Sequence, residues 1–214
     1  MMQRLRISFS RDEEVKFLSH LDLMRLWERA FRRAEIPLAY SEGYNPHPHL
    51  SLAAPLSIGM TSQAELMDVF LSHWLSPQAF ISQVDQQLPA GISVTKIWIA
   101  SLEEPSLQSK VRFAEYEVTL AVEKTQQEIE AAIQSLLAAR ELQWQHIRDK
   151  MARNYDLRSL IDDLWFISTD NSICTLGMRL RTGSNGTGRP EQVTKALGFS
   201  QNPTSIHRTR LLLN

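Results

Sequence analysis

The same order of periodicities, strand–helix–strand–strand–helix–strand, runs through this chain twice, and that repetition limits the available folds more than any other feature. Residues 4–10 alternate Arg4, Leu5, Arg6, Ile7, Ser8, Phe9, Ser10, the period of a half-buried strand. Ser19-His20-Leu21-Asp22 sets a capping hydroxyl three residues ahead of an acid, so a helix opens there. Trp27, Ala30, Phe31 and Ala34 form its apolar stripe, and Pro37 closes it. Strands are predicted near 48–54 and over 64–71. Ser76-Pro77 is an N-cap followed by proline at the first helical position. Phe80, Val84 and Leu88 continue that helix, and 92–99 is the closing strand.

The second half repeats the order. Tyr116, Val118, Leu120 and Val122 alternate with polar or small residues, and Thr125 with Glu128 forms a capping box for a helix through Ile129, Ile133, Leu136 and Leu137. Strands are predicted near 142–149, 160–168 and 172–181. Pro190 starts a short helix that stops at Gly198, and 205–213 is the last strand. The expected fold is α+β, a tandem ferredoxin-like arrangement of two βαββαβ units. Its units are 1–100 and 111–214, joined by a linker at 101–110.

Hydrophobic content of 43% and charged content of 22% are those of an ordinary globular protein. The net charge of −1 gives no global pull toward nucleic acid, but its distribution is uneven. Residues 1–35 carry eight Lys/Arg against six acids and 141–214 ten against seven, whereas 36–140 carry five against eleven. The only cysteine, Cys174, excludes an internal disulfide and any all-cysteine metal or iron–sulfur site. Its setting, Ser-Ile-Cys-Thr-Leu, is that of a buried, inert thiol. Charges begin at Arg4 and no apolar run reaches a membrane span, so a cytoplasmic location without membrane contact is expected.

Residues 41–52, Ser-Glu-Gly-Tyr-Asn-Pro-His-Pro-His-Leu-Ser-Leu, carry more polar groups than a connector needs. Two prolines fix φ and bias the residues before them toward extended backbone. A stiff loop carrying Glu42, Tyr44, Asn45, His47 and His49 is expected, either as a rigid surface turn or as a site. His47 and His49 fall on one side of an extended chain. They are candidates for substrate contact or proton transfer, and more weakly for a metal completed by His20, Asp22, Glu42 or Asp68; no resident metal or cofactor is expected. The loop is expected to run back along the first helix and bring His47 or His49 to Ser19, His20 and Asp22 in one polar pocket.

Arginines supply a second pattern. Arg25, Arg29, Arg32 and Arg33 share a face of the first helix, either as a solvated face paired with Glu28 and Asp22 or as phosphate contacts. Arg4/Arg6, Arg179/Arg181 and Arg208/Arg210 are i, i+2 pairs on predicted strands. They are read as a face that could receive RNA. Gly183 to Arg189 precedes a helix and could offer amides to an anion, though a flexible connector is the simpler reading.

Phe17-Leu18-Ser19-His20-Leu21-Asp22, and Pro37 through His49, resemble the radical-SAM-linked protein family. These are bacterial domains found either as separate chains or fused behind a radical SAM enzyme. Leu52-Ala53 to Gly59, Glu65 to Asp68, and Arg189-Pro190 to Leu197 fit the same pattern. The resemblance implies a stand-alone member whose partner is a radical SAM protein, and it supplies no activity. A radical SAM cluster needs three closely spaced cysteines, so the chemistry would lie on the partner.

Three functions are therefore expected in competition. The first is an RNA-binding accessory that presents a substrate, tRNA or rRNA, through residues including Ser19, Asp22, Arg25, Arg29 and the 42–49 loop. The second is an RNA-cleaving or other hydrolytic enzyme with His20, His47 or His49 as general base. The third is a scaffold docking through Tyr44, Pro46 and Pro48. Whether the chain is an enzyme at all, and its oligomeric state, are open at this level.

Overall fold

Strand β1, Gln3–Arg11, organises the first unit because both of its faces are covered. Helix α1, His20–Arg33, follows, capped by the Ser19 hydroxyl, which accepts from the Asp22 amide at 3.2 Å. Strands β2 (Leu50–Leu52) and β3 (Thr61–Leu71), helix α2 (Pro77–Val84), strand β4 (Ile92–Ala100) and a short helix α3 (Leu107–Lys110) complete it. The strands lie in the order β4-β1-β3-β2, each neighbouring pair antiparallel. The computed structural model describes residues 2–148, 151–170, 172–183 and 186–214.

Leu5, Ile7 and Phe9 point from β1 into a core with Met67, Val69 and Leu71 of β3. Leu23, Trp27 and Phe31 of α1 and Phe80 and Val84 of α2 close over them. The ring series Phe9–Trp27–Phe31–Phe80, with centroids 5.0, 5.2 and 5.6 Å apart, runs through this layer. Such aromatic contacts add to the ordinary gain from burying apolar area. Both helices thus cover the odd-numbered face of β1, and the even-numbered residues face the other way.

The second unit comprises β5 (Val111–Ala121), α4 (Gln126–Ala138), β6 (Gln143–Arg148), β7 (Met151–Asp156), β8 (Ile161–Asp170), β9 (Ile173–Arg181), α5 (Pro190–Ala196) and β10 (Ser205–Leu213). Its main strands follow the order β10-β5-β9-β8. The predicted capping box is formed: Thr125 Oγ1 accepts from the Glu128 amide and the Glu128 carboxylate accepts from the Thr125 amide at 2.8 Å. Cys174 is buried on β9, and burial pushes its thiol pKa up, keeping the nucleophilic thiolate scarce.

The chain divides into compact units Met1–Val111 and Arg112–Asn214, so 101–110, expected as a linker, belongs to the first unit and carries α3. The strand predicted at 142–149 is one arm of a hairpin, β6–β7, with Gln143 opposite Asp156 and Arg148 opposite Met151. Asp149 of that prediction lies outside the described residues, as do Ser184 and Asn185 of the proposed anion loop.

Candidate functional site

The even-numbered face of the first unit gathers its polar side chains in two rows. Register sets Arg4 beside Phe70 on one flank and Ala100 on the other, and Arg6 beside Asp68 and Trp98. Ser51 lies opposite Asp68, so His49, two residues earlier, comes beside Phe70.

Asp68 is fully buried and receives both guanidinium groups. Arg4 donates to its Oδ2 through Nε at 3.0 Å and through Nη2. Arg6 donates to Oδ1 through Nε at 2.7 Å and to Oδ2 through Nη2 at 3.1 Å. The remaining donors reach the 101–110 segment. Arg4 Nη1 bonds the carbonyls of Ser101 and Glu104 at 3.1 and 2.8 Å, and Nη2 that of Pro105 at 3.1 Å. Arg6 Nη1 and Lys110 Nζ meet on Glu104 Oε2 at 3.1 and 3.0 Å.

Two buried arginines against one aspartate would be costly, and the extra carbonyls and Glu104 supply what Asp68 alone cannot. The Lys110 hydrogen bond, followed by that of Arg6, lowers the Glu104 pKa to about 2. Burial opposes ionisation of Arg6, but Asp68 and Glu104 outweigh it and raise its pKa. Every donor position of Arg4 is engaged within the protein. The expectation that Arg4/Arg6 face a phosphate is therefore corrected: they clasp the 101–110 segment to the sheet.

In front of this clasp, the His49 ring stacks on Phe70 at 3.8 Å between centroids and 7° between planes. The Arg4 guanidinium lies 5.4 Å from the Phe70 centroid. A cavity of about 350 Å³ opens here, lined by residues that include Arg4, His49, Ser51, Phe70, Glu104 and Ser106.

The 41–49 segment reverses direction rather than running on. Tyr40 bridges Pro48, the Ser41 amide donates to the His47 carbonyl at 2.9 Å, and the His47 amide donates to Ser41 Oγ at 3.0 Å. Gly43 turns the arch at φ +127°, where side chains are strained. Glu42, Tyr44, Asn45 and His47 are exposed on it, Tyr44 completely.

The expected meeting of this arch with Ser19, His20 and Asp22 does not occur. Backbone groups of 37–39 are taken by the end of β3, with Ser72 donating to the Pro37 carbonyl and Ala39 to that of Phe70. Those bonds satisfy polar groups that a path along the helix would leave to water. Phe70 is opposite Arg4, whereas the α1 cap follows Leu18, whose carbonyl takes a bond from Arg11 at the other end of β1. Seven residues of strand, about 23 Å at ~3.3 Å each, separate the two ends.

At the cap, Ser19 Oγ donates to the Asp22 carboxylate at 2.6 Å, and Arg25 lies 3.7 Å from Asp22. His20, Arg25, Arg29 and Arg32 are exposed, and Arg33 donates to the Gln87 carbonyl at 2.8 Å. Among the described residues no three His, Cys, Asp or Glu side chains gather as a metal site. The sequence reading missed Phe70, Ser51, Glu104 and Ser106. The alternation of β3 puts Phe70 and Asp68 on one face, and that was the one available signal.

In the second unit, Arg179 Nε and Nη2 hold Glu115 Oε1 at 2.9 and 2.8 Å, and Nη1 reaches Asp162 at 3.4 Å. Its i, i+2 neighbour Arg181 lies over Phe113 at 5.9 Å. Arg208 is buried over the Tyr116 ring, and Arg210 is exposed, 4.0 Å from Glu115.

A family model described as "Uncharacterized protein conserved in bacteria (DUF2344)" matches residues 4–190, which spans the clasp, the arch and the cavity. The chain belongs to this family. No curated protein matches it. Among solved structures, a chain of "Crystal Structure of a Cbf5-Nop10-Gar1 Complex" is similar at 9% identity and a TM-score of 0.53. That alignment covers 97% of this DUF2344 member and 48% of the other chain, so this chain spans about half the length of the one it matches. The likeness is one of fold.

Proposed function

We propose that this DUF2344 protein is a cytoplasmic, substrate-presenting accessory that works with a radical SAM enzyme in the modification of tRNA or rRNA. The observation that carries this reading is the 40–48 arch, which backbone bonds fix while Tyr44 stands wholly in solvent. An aromatic on a pre-ordered backbone loses little freedom when a partner buries it, the property of an interface anchor. The partner class rests on the resemblance of 17–22 and 37–49 to radical-SAM-linked proteins. With Cys174 as the single cysteine, residues 1–214 cannot themselves supply the three cluster ligands.

The RNA component now rests on the exposed Arg25, Arg29 and Arg32 of α1, since Arg4, Arg6 and Arg208 are buried. We read each unit as ferredoxin-like, a reading supported by the orders β4-β1-β3-β2 and β10-β5-β9-β8. The alternative, an enzyme with His20, His47 or His49 as general base, draws no support from a shared pocket, because His20 and the loop histidines sit at opposite ends of the β1–β3 ladder.

Two measurements test the proposal. Total tRNA should bind at low salt and weaken steeply as salt rises; absence of binding at low salt overturns the RNA component. A radical SAM protein should co-purify from native cells and be lost with Tyr44→Ala, which leaves tRNA affinity unchanged. Complexes lacking any radical SAM protein overturn the partner component.

A further inference from the structure

Four observations converge on the cavity beside β2 and β3. It is bounded by a parallel ring pair, His49 on Phe70, and His49 is exposed, so one ring face is covered by Phe70 and the stack is open on its outer side. Its volume of about 350 Å³ lies within the range of small-molecule sites, ~300–1,000 Å³. Its floor is the saturated Arg4–Asp68 pair, which is rigid and leaves no unmet charge to demand an ion. Its rim carries the Ser51 and Ser106 hydroxyls and the Glu104 carboxylate, able to accept from an amino group.

We propose that this cavity takes a single unpaired nucleobase, which extends the Phe70–His49 stack on the open face of His49. A planar heteroaromatic ring gains from stacking whatever its sequence identity. The rim offers acceptors and hydroxyls for its edge. This inference rests on the RNA component of the proposed function and names where a base would be held. It assigns His49 a stacking role in place of a proton-transfer role.

The test uses the full chain with two ligands, adenosine 5′-monophosphate and a fluorescein-labelled decaadenylate, followed by NMR of the His49 ring and by anisotropy at low salt. Both ligands should shift the His49 ring protons. Decaadenylate affinity should fall roughly tenfold in His49→Ala, in line with the loss of one base stack. His49→Tyr, which keeps a ring but no imidazole, should restore it. Each variant's thermal unfolding is recorded beside the wild type to confirm that it folds.

Decaadenylate binding that is unchanged in His49→Ala overturns the base site while leaving the RNA reading intact. A His49 shift with the monophosphate but no binding of decaadenylate keeps the base site, for a free nucleotide, and overturns the RNA reading. Equal loss in His49→Ala and His49→Tyr replaces stacking with imidazole chemistry and overturns the proposal. So does a His49 ring that neither ligand shifts, including the case in which only an aromatic peptide shifts it.

Discussion

The two units place arginines at alternate strand positions, yet they use them in opposite ways. On β1, Arg4 and Arg6 are buried, share Asp68, and spend their other donors on the 101–110 segment. On β9, Arg179 is part-exposed and pairs with Glu115 and Asp162 at the surface, while Arg181 lies over Phe113. The fixed point of that second face is apolar: Trp165 lies opposite Gly177, and its indole fills the place a Cβ at 177 would take. One pattern therefore gives a structural clasp in one unit and a solvated pair in the other. What decides is the segment that covers the strand, not the strand itself.

The largest effect should come from Asp68→Ala, which leaves two buried guanidinium groups short of their shared anion. A loss of about 3–5 kcal/mol in urea unfolding is expected, and a loss below 1 kcal/mol would put the β1 arginines in the same class as those on β9. Next is Gly177→Ala. The indole must give way, at a cost of ~1–3 kcal/mol from overpacking, and tryptophan fluorescence should shift with it. An unchanged midpoint and spectrum would remove Trp165 as the fixed point of the second unit.

Acid sharpens the comparison further. Glu104 has its pKa lowered from 4.5 to about 2, so its contribution is complete above pH 4.5 and disappears as pH falls through about 2. Stability of the wild type should therefore decline over that window more than that of Glu104→Gln. Parallel curves for the two would deny Glu104 its place in the clasp. The smallest effect is expected from Arg179→Ala, within about 1 kcal/mol and shrinking with added salt, as for other exposed pairs. A salt-independent loss of several kcal/mol would show that β9 holds a second clasp.

Much of the element order was legible because it follows from local rules. Ser19, Ser76 and Thr125 cap the helices they announce, and alternation along β1, β5 and β9 marks their faces. The second arm of the hairpin, β7, escaped because it pairs with β6 outside the main strand path, so its sequence is under little pressure to alternate. The clasp escaped for a different reason. Alternation says that Arg4 and Arg6 share a face, but Glu104 lies about a hundred residues away and nothing local announces it. The arch was legible in its stiffness and its exposed residues, not in its direction, since the carbonyls of Pro37 and Phe70 set its path.

The clasp also sets a schedule for synthesis. Arg4 and Arg6 leave the ribosome ahead of the carbonyls that complete them, which follow about a hundred residues later, an interval of roughly 5–20 seconds at ~5–20 residues per second. Until then the nascent sheet holds its arginines in water or against Asp68 alone. The clasp can therefore be completed only when the chain through Lys110 has emerged.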